Sequence, residues 1–510
     1  MTGWTYLPLL VAAVASFFVD ALALPRGGWR RPTSAVLLHL TCVGFIACVA
    51  LALTRRPIAC ACVVLAFPAL MAAVSNAKYA SLREPFVFTD LSLFAQAVAH
   101  PRLYLPFLKI STILGAVSGV LILIFAFTIE RALPVSVAPA ALGLAIACVV
   151  IAYGLATMLP LSLDPAKDQT RCGFLPVFIA YLLNGWRPSA FRAFERVASV
   201  GPYVKGERPH ATPDVIVIQS ESFFDVRTLP ASIHGAVLSH YDAACRECVV
   251  HGDLRVPAWG ANTMRSEFAL LTGLRASQLG YARFYPYAFV RRHCPSLAGW
   301  FRRAGYATTA IHPYFADFFG RNRVFPLLQF DRFVSIDAFK DASRAGPYVS
   351  DAAVLDRIIA ELETPRTRPS FIFAMTMENH GPLHLETVEP GEASRYHAMG
   401  DDPEWQDLTV YLRHLANANA MLGRLLEYLR TRGRDTILCF YGDHVPALPK
   451  VFDRLGGVSG HSNYFIWRNF GDRPALRKLE TVDLLGAAML RVMESAARQN
   501  PVTAMSRDIA

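Results

Sequence analysis

A chain of 510 residues is too long for one average domain, and 53% of it is apolar, which argues for a membrane part joined to an ordinary globular part. The formal charge of +10 comes with no basic run or recognition motif. It therefore excludes nucleic acid as the partner and is better explained by basic residues flanking apolar spans. Five apolar stretches come first in chain order, at about 5–24, 33–53, 57–75, 110–128 and 136–158. Each approaches the roughly 20 residues needed to cross a ~30 Å hydrocarbon core as a helix. The first lacks a basic leader and a small-residue cleavage site, so it reads as retained. Residues 1–160 are thus expected to form a five-helix transmembrane bundle. Counting basic residues gives a conflict: Arg26, Arg30, Arg31, Lys78, Arg83, Arg102 and Lys109 in the first and third loops outweigh Arg55, Arg56 and Arg131 in the second and fourth. That bias would put the C-terminal half in the cytoplasm.

Residues 161–212 read as a connector, whose apolar piece 172–185 is too short to span and is expected in the membrane interface plane. From residue 213 to 510 the texture becomes that of a mostly parallel α/β sheet sandwiched by helices. Strands are predicted at 215–219, 307–311, 371–376, 436–441 and 464–467, and helices at 294–304, 351–363, 408–430 and 481–497. Cys245 and Cys248 form a lone CxxC without a second pair or a close His pair, so a zinc site is not expected there.

The chemistry lies where apolar runs end. Ligands of open α/β sheets bind beyond the carboxyl ends of the strands. Here four such ends lead to Glu221, to His312, to Glu378-Asn379-His380 and to Asp443-His444. Singly, Glu221 could cap a helix, Asp443 could be a turn residue and the histidines could be ordinary loop residues. Together they suit a divalent cation, Mn²⁺, Mg²⁺ or Zn²⁺, because carboxylates and imidazoles are present without a thiolate cluster. A nucleophile is offered by Thr263 in Trp259-Gly260-Ala261-Asn262-Thr263-Met264-Arg265-Ser266-Glu267, where a hydroxyl at a helix N-terminus faces free N–H groups. Thr is also a common N-cap, which is the competing reading.

The order of these motifs, with five spans and the loop Lys78-Tyr-Ala-Ser-Leu-Arg-Glu-Pro-Phe-Val-Phe-Thr-Asp90, resembles the lipoteichoic acid synthases and related phosphoglycerol transferases of the alkaline phosphatase superfamily. The resemblance implies one metal, Mn²⁺ by preference, held by Glu221, Thr263, Asp443 and His444, with Thr263 as nucleophile. It implies substrate contacts from His312, Arg321 and His380, and an aromatic wall at Phe319, where the family usually carries Trp. It further implies phosphatidylglycerol as donor, a glycan or glycolipid as acceptor, a phospho-threonine intermediate, and a multi-pass protein of the bacterial cytoplasmic membrane with its catalytic domain outside the cytoplasm. Phosphoethanolamine transferases share the fold but usually have Glu before the Thr, where Asn262 stands here. A formylglycine sulfatase would need Cys/Ser-x-Pro-x-Arg, which is absent. A non-catalytic envelope scaffold is the remaining alternative.

Overall fold

The computed structural model describes residues 3–92, 110–205, 209, 211–471 and 475–497. Arg102, Lys109 and the end of the C-terminal domain, 498–510, lie outside them. The chain divides into two compact units, Met1–Phe191 and Arg192–Ala510. The boundary falls inside the expected connector, whose first part belongs to the N-terminal unit.

Helices occupy all five expected stretches of that unit: Leu7–Asp20, Thr33–Thr54, Pro57–Leu82, Ile110–Ile129 and Val137–Leu155. Among the described residues three are long and apolar enough to cross a membrane, Thr33–Thr54, Pro57–Leu82 and Val137–Met158. Trp4–Asp20 and Val117–Ile129 are shorter apolar segments. Two of the basic residues that weigh on orientation are not free charges. Arg31 Nη1 lies 2.6 Å from Asp20 Oδ2 and Lys78 Nζ 2.6 Å from Asp90 Oδ2, all four side chains being nearly buried. The Lys78–Asp90 loop is thereby closed on itself, with Lys78 also donating to the Pro85 carbonyl and the Val87 amide donating to Asp90.

The segment expected in the interface plane behaves differently. Helix Phe174–Gly185 buries Phe174, Leu175, Pro176, Val177, Phe178, Ala180 and Tyr181 within its unit. An interfacial helix needs a strongly polar face, and this one has none. Its N-terminus is instead capped by Asp20, which accepts the amides of Phe174 (3.2 Å) and Leu175 (2.6 Å), placing an anion at the positive end of the helix.

The second unit is built on one sheet. Its strands are β1 Asp214–Ser220, β2 Val250–Arg255, β3 Ala307–Ile311, β4 Arg332–Val334, β7 Ser370–Met375, β8 Thr436–Gly442, β9 His461–Arg468, β10 Leu476–Arg477 and β11 Glu480–Thr481, while β5 Arg344–Ala345 and β6 Tyr348–Val349 form a separate hairpin. The order is β10-β2-β9-β8-β1-β7-β3-β4, with β11 beside β2. Strands β8, β1, β7, β3 and β4 run parallel, and β9 is antiparallel to both its neighbours. The near-continuous apolar runs seen in the sequence are what a sheet covered on both faces requires. Ile216, Ile218, Ile372, Ala374, Leu438 and Phe440 point into a core shared with helices Asp351–Glu363 and Gln406–Thr431. On the alternate positions Phe371 stacks on Phe301, 4.4 Å between centroids, from helix Leu297–Arg303.

Register decides where the site forms. Gln219 pairs with Tyr441 and with Met375, Ser220 with Gly442, and Ile311 with Ala374. The four chemistry-bearing ends therefore leave the sheet along one edge. Gly442 has a steric reason: a Cβ there would run into the Phe223 carbonyl and the Ser462 hydroxyl. Strand β2 was not legible in Val-His-Gly-Asp-Leu-Arg, which alternates only loosely. The cysteines are free thiols; Cys248 donates to the Cys245 carbonyl rather than bridging to it.

Candidate metal and nucleophile centre

Glu221, Asp443 and His444 are buried, and one ligand atom from each lies within 4.8 Å of the others. Asp443 is aimed by the backbone: its Oδ1 accepts the amides of Ser222 and His444, both at 2.9 Å. Its Oδ2 is buried with no hydrogen-bond partner among the described residues. His444 is aimed in the same way. Its Nδ1 lies 2.9 Å from the Val445 carbonyl, which can accept only from N–H, so Nε2 carries the lone pair. That Nε2 is 3.3 Å from Asp443 Oδ2, 3.6 Å from Glu221 Oε1 and 3.3 Å from Thr263 Oγ1.

Thr263 opens helix Thr263–Thr272 after Asn262, which is left-handed at φ 67. Two bonds lock this helix to the metal-type group. The Gly260 amide donates to the Val445 carbonyl (3.0 Å), and the Ser266 hydroxyl to the Asp443 carbonyl (2.6 Å). Thr263 itself remains partly exposed while the three ionisable groups beside it are buried.

A divalent cation fits this set on its chemistry. Two carboxylates share a buried space, and Glu221 is pushed up to about 8, by burial first and by the Asp443 charge next. An orphaned carboxylate oxygen and an imidazole lone pair aimed at the same place are hard-to-borderline donors without a partner of opposite charge. A pH test follows. A native pKa of about 8 against an ordinary 4.5 means that the folded protein holds a proton the unfolded chain gives up. This group's contribution is therefore present below about 4.5 and is lost as pH rises toward about 8. A cation replaces the proton. Calorimetry with and without EDTA should give a Mn²⁺-dependent rise in Tm that is larger at pH 8 than at pH 6. An equal rise at both values would remove Glu221 from the ligand set.

A second shelf stands at the same sheet edge. His312 follows β3 and is 2% exposed, with Nδ1 lacking a hydrogen-bond partner among the described residues. Burial, reinforced by Arg321 and His380, pushes its pKa well down. His380 Nδ1 is 2.7 Å from the Gly381 carbonyl and donates to it, and burial lowers this pKa too. Both shifts favour the neutral ring over the charged one. Arg321 lies 5.2 Å from the Phe319 ring and 5.7 Å from the Phe318 ring.

Two partnerships were not legible in the sequence. Arg321 is buried against Glu267, with Nη2 2.7 Å from Oε2 and Nε 3.1 Å from Oε1, and the Tyr287 hydroxyl joins the same carboxylate. Glu378, at a strand end like Glu221, turns to the scaffold. It accepts from the Asp351 amide (2.7 Å), Asn417 Nδ2 (2.6 Å) and His414 Nδ1 (2.9 Å). His414 Nε2 lies 3.0 Å from Glu386 Oε1. Burial alone would lower the His414 pKa, but the bonds to Glu378 and Glu386 outweigh it and push it up to about 9. The only sequence signal was a histidine on the buried stripe of a long amphipathic helix.

With this geometry in view, comparison with known proteins finds as a relative the capsular polysaccharide biosynthesis protein RkpI of Rhizobium meliloti (strain 1021), 27% identical over 90% of this chain and 87% of its own length. A putative cyclic beta-1,2-glucan modification protein of the same organism is 31% identical over 59% of this chain, which spans 47% of that relative. Among solved structures, the phosphoglycerol transferase GacH of Streptococcus pyogenes in complex with sn-glycerol-1-phosphate aligns over 62% of this chain and 84% of its own, at 22% identity and a TM-score of 0.48. The sulfatase family model matches residues 213–494, which take in every strand and every side chain of the site just described. More than half of the chain thus carries the family's pattern, and the protein belongs to the sulfatase family.

Proposed function

We propose that the protein is a metal-dependent transferase that moves phosphoglycerol from phosphatidylglycerol to a cell-envelope glycan or glycolipid through a phospho-threonine intermediate. The observation that carries this reading is the partly exposed Thr263, its hydroxyl 3.3 Å from Nε2 of His444, which itself groups with Glu221 and Asp443. Glu221, Asp443, His444 and Thr263 would hold one divalent ion, Mn²⁺ by preference. When bound, it lowers the pKa of the threonine hydroxyl and neutralises phosphoryl charge. Thr263 Oγ1 attacks phosphorus, an O–P bond forms, and the P–O bond to diacylglycerol breaks as that alcohol leaves with a proton. An acceptor hydroxyl then attacks the same phosphorus, releasing Thr263, which recovers its proton. His312 and His380 are the nearby imidazoles to which we assign these protons. Arg321, held by Glu267 and with Nη1 donating to the Phe318 carbonyl, is the cation assigned to the phosphoryl group, and Phe319 is the wall assigned to the glycerol.

A lipid donor gives the N-terminal unit its purpose. We assign five crossings to it and place the catalytic unit outside the cytoplasm of a bacterial cell. The burial of Arg31 and Lys78 in ion pairs with Asp20 and Asp90 takes weight from the opposing charge count. The test is incubation of the purified full-length protein with Mn²⁺ and phosphatidylglycerol labelled in its headgroup. Diacylglycerol should appear in a metal-dependent way, and mass spectrometry should find glycerol phosphate on Thr263. Activity with phosphatidylethanolamine in place of phosphatidylglycerol would overturn the donor, and no turnover with either would overturn the enzyme reading.

A further inference from the structure

We infer that His414 is a positioning residue of the transferase: it ties together the two ends of segment 378–386 and so holds His380 in the site. This rests on the transferase reading above, in which His380 is an assigned proton carrier. His380 feels the charges of Asp443 and Arg321, but no strand carries it. Beyond β7 the chain runs in turns to the short 3₁₀ helix Leu383–Leu385. Helix Gln406–Thr431 holds this segment at both ends. From that helix the buried His414 places Nδ1 2.9 Å from Glu378 Oε1, on one side of His380 in the chain. It places Nε2 3.0 Å from Glu386 Oε1, on the other. Asn417 Nδ2 adds a bond to Glu378 at 2.6 Å, and Gln406 Nε2 one to the Glu386 carbonyl at 2.9 Å. Arg413 donates to Glu386 Oε2 at 3.3 Å and to the Thr387 carbonyl at 2.8 Å.

The clamp depends on the charge of the ring. A carboxylate oxygen can only accept, so an imidazole with a carboxylate at each nitrogen needs N–H on both. The groups around it are Glu378 and Glu386, Arg413 shared with Glu386, Asp351 behind Glu378, and Tyr348 of the hairpin on the Glu386 side. Asp351 gives its amide to Glu378 Oε2 at 2.7 Å. Burial opposes the charge, but the bonds to Glu378 and Glu386 win and push the His414 pKa up to about 9. That lies above the ordinary 6.5, so the contribution is complete below about 6.5 and is lost as pH rises through about 9. A neutral ring keeps one N–H and turns a lone pair to the other carboxylate. One end of the segment then loses its hold on the helix.

The experiment follows diacylglycerol release by the full-length protein in detergent, with Mn²⁺ and phosphatidylglycerol, from about pH 6 to 10. The wild-type kcat should fall as pH passes about 9. Glu386→Gln keeps an acceptor for the ring but removes one anion, so this alkaline limb should move down by about one pH unit. His414→Gln should lower kcat by on the order of 10²-fold, the cost of a catalytic group displaced by about an ångström, with the KM for phosphatidylglycerol within about twofold. In a His380→Ala background His414→Gln should cost nothing further. An equal loss in both backgrounds, or an alkaline limb that stays in place in Glu386→Gln, overturns the positioning role. Glu386→Gln decides by itself if His414→Gln does not fold. If wild-type protein releases no diacylglycerol, the transferase reading fails separately. Carbon-13 NMR of histidine-labelled protein then decides the clamp: the His380 signal should shift as pH passes about 9, and a signal indifferent to that passage overturns it.

Discussion

Thr263→Ala is expected to lower diacylglycerol release by on the order of 10⁴-fold or more, the scale seen when a covalent nucleophile is removed. The fold should hardly notice. Thr263 is the first residue of its helix and partly exposed, and the helix is fixed by Gly260 and Ser266 rather than by the Thr263 side chain. Its melting temperature should therefore stay within a few degrees of wild type. Thr263→Ser keeps the hydroxyl, so it should retain measurable turnover and take up headgroup label at residue 263. Turnover in the alanine variant at the wild-type rate would leave the metal group with some other task and return the scaffold reading to the front.

The second large effect is on stability. In Glu267→Ala the Arg321 guanidinium would stay buried, with only 1% of its side chain exposed, and without its counter-charge; the Tyr287 hydroxyl would lose its acceptor as well. Breaking one side of such a pair costs about 3–5 kcal/mol, which for a unit of this size lowers Tm by roughly 5–7 °C. Arg321→Met should destabilise by a similar mechanism, since it strands the Glu267 carboxylate. The double variant Glu267→Ala/Arg321→Met removes both charges. It should recover a large part of the stability, giving a coupling energy of a few kcal/mol in the cycle. Activity should not return with it, because the fixed positive charge over Phe319 is gone. Additive losses in thermal melts would mean that the pair is not coupled in the folded protein.

These two predictions differ in how far the sequence alone could have reached them. Thr263 could be placed at a helix start because its signals are local: a glycine-containing turn followed by an apolar helical run. Glu267 was visible only as a neighbour in the same motif. Nothing local indicates that it faces Arg321, 54 positions away. The paired strand ends show the same contrast. Glu221 and Glu378 carry equal weight in the sequence, each at the end of an apolar strand. One joins Asp443 and His444, while the other is taken by His414, Asn417 and the Asp351 amide.

The sequence by itself determined where the apolar helices and strands lie and which side chains stand at the strand ends, because helix and strand periodicity and turn chemistry are properties of neighbouring residues. Tertiary structure decided the rest. The register of β1 with β7 and β8 brought Glu221 and Asp443 to one edge. Asp20 drew helix Phe174–Gly185 into its own unit, where an apolar segment without a polar face is buried. Buried charges found Glu267 and His414 as partners because a desolvated ion must be matched by whatever the fold brings within reach, and reach in space is not encoded at any single stretch of chain.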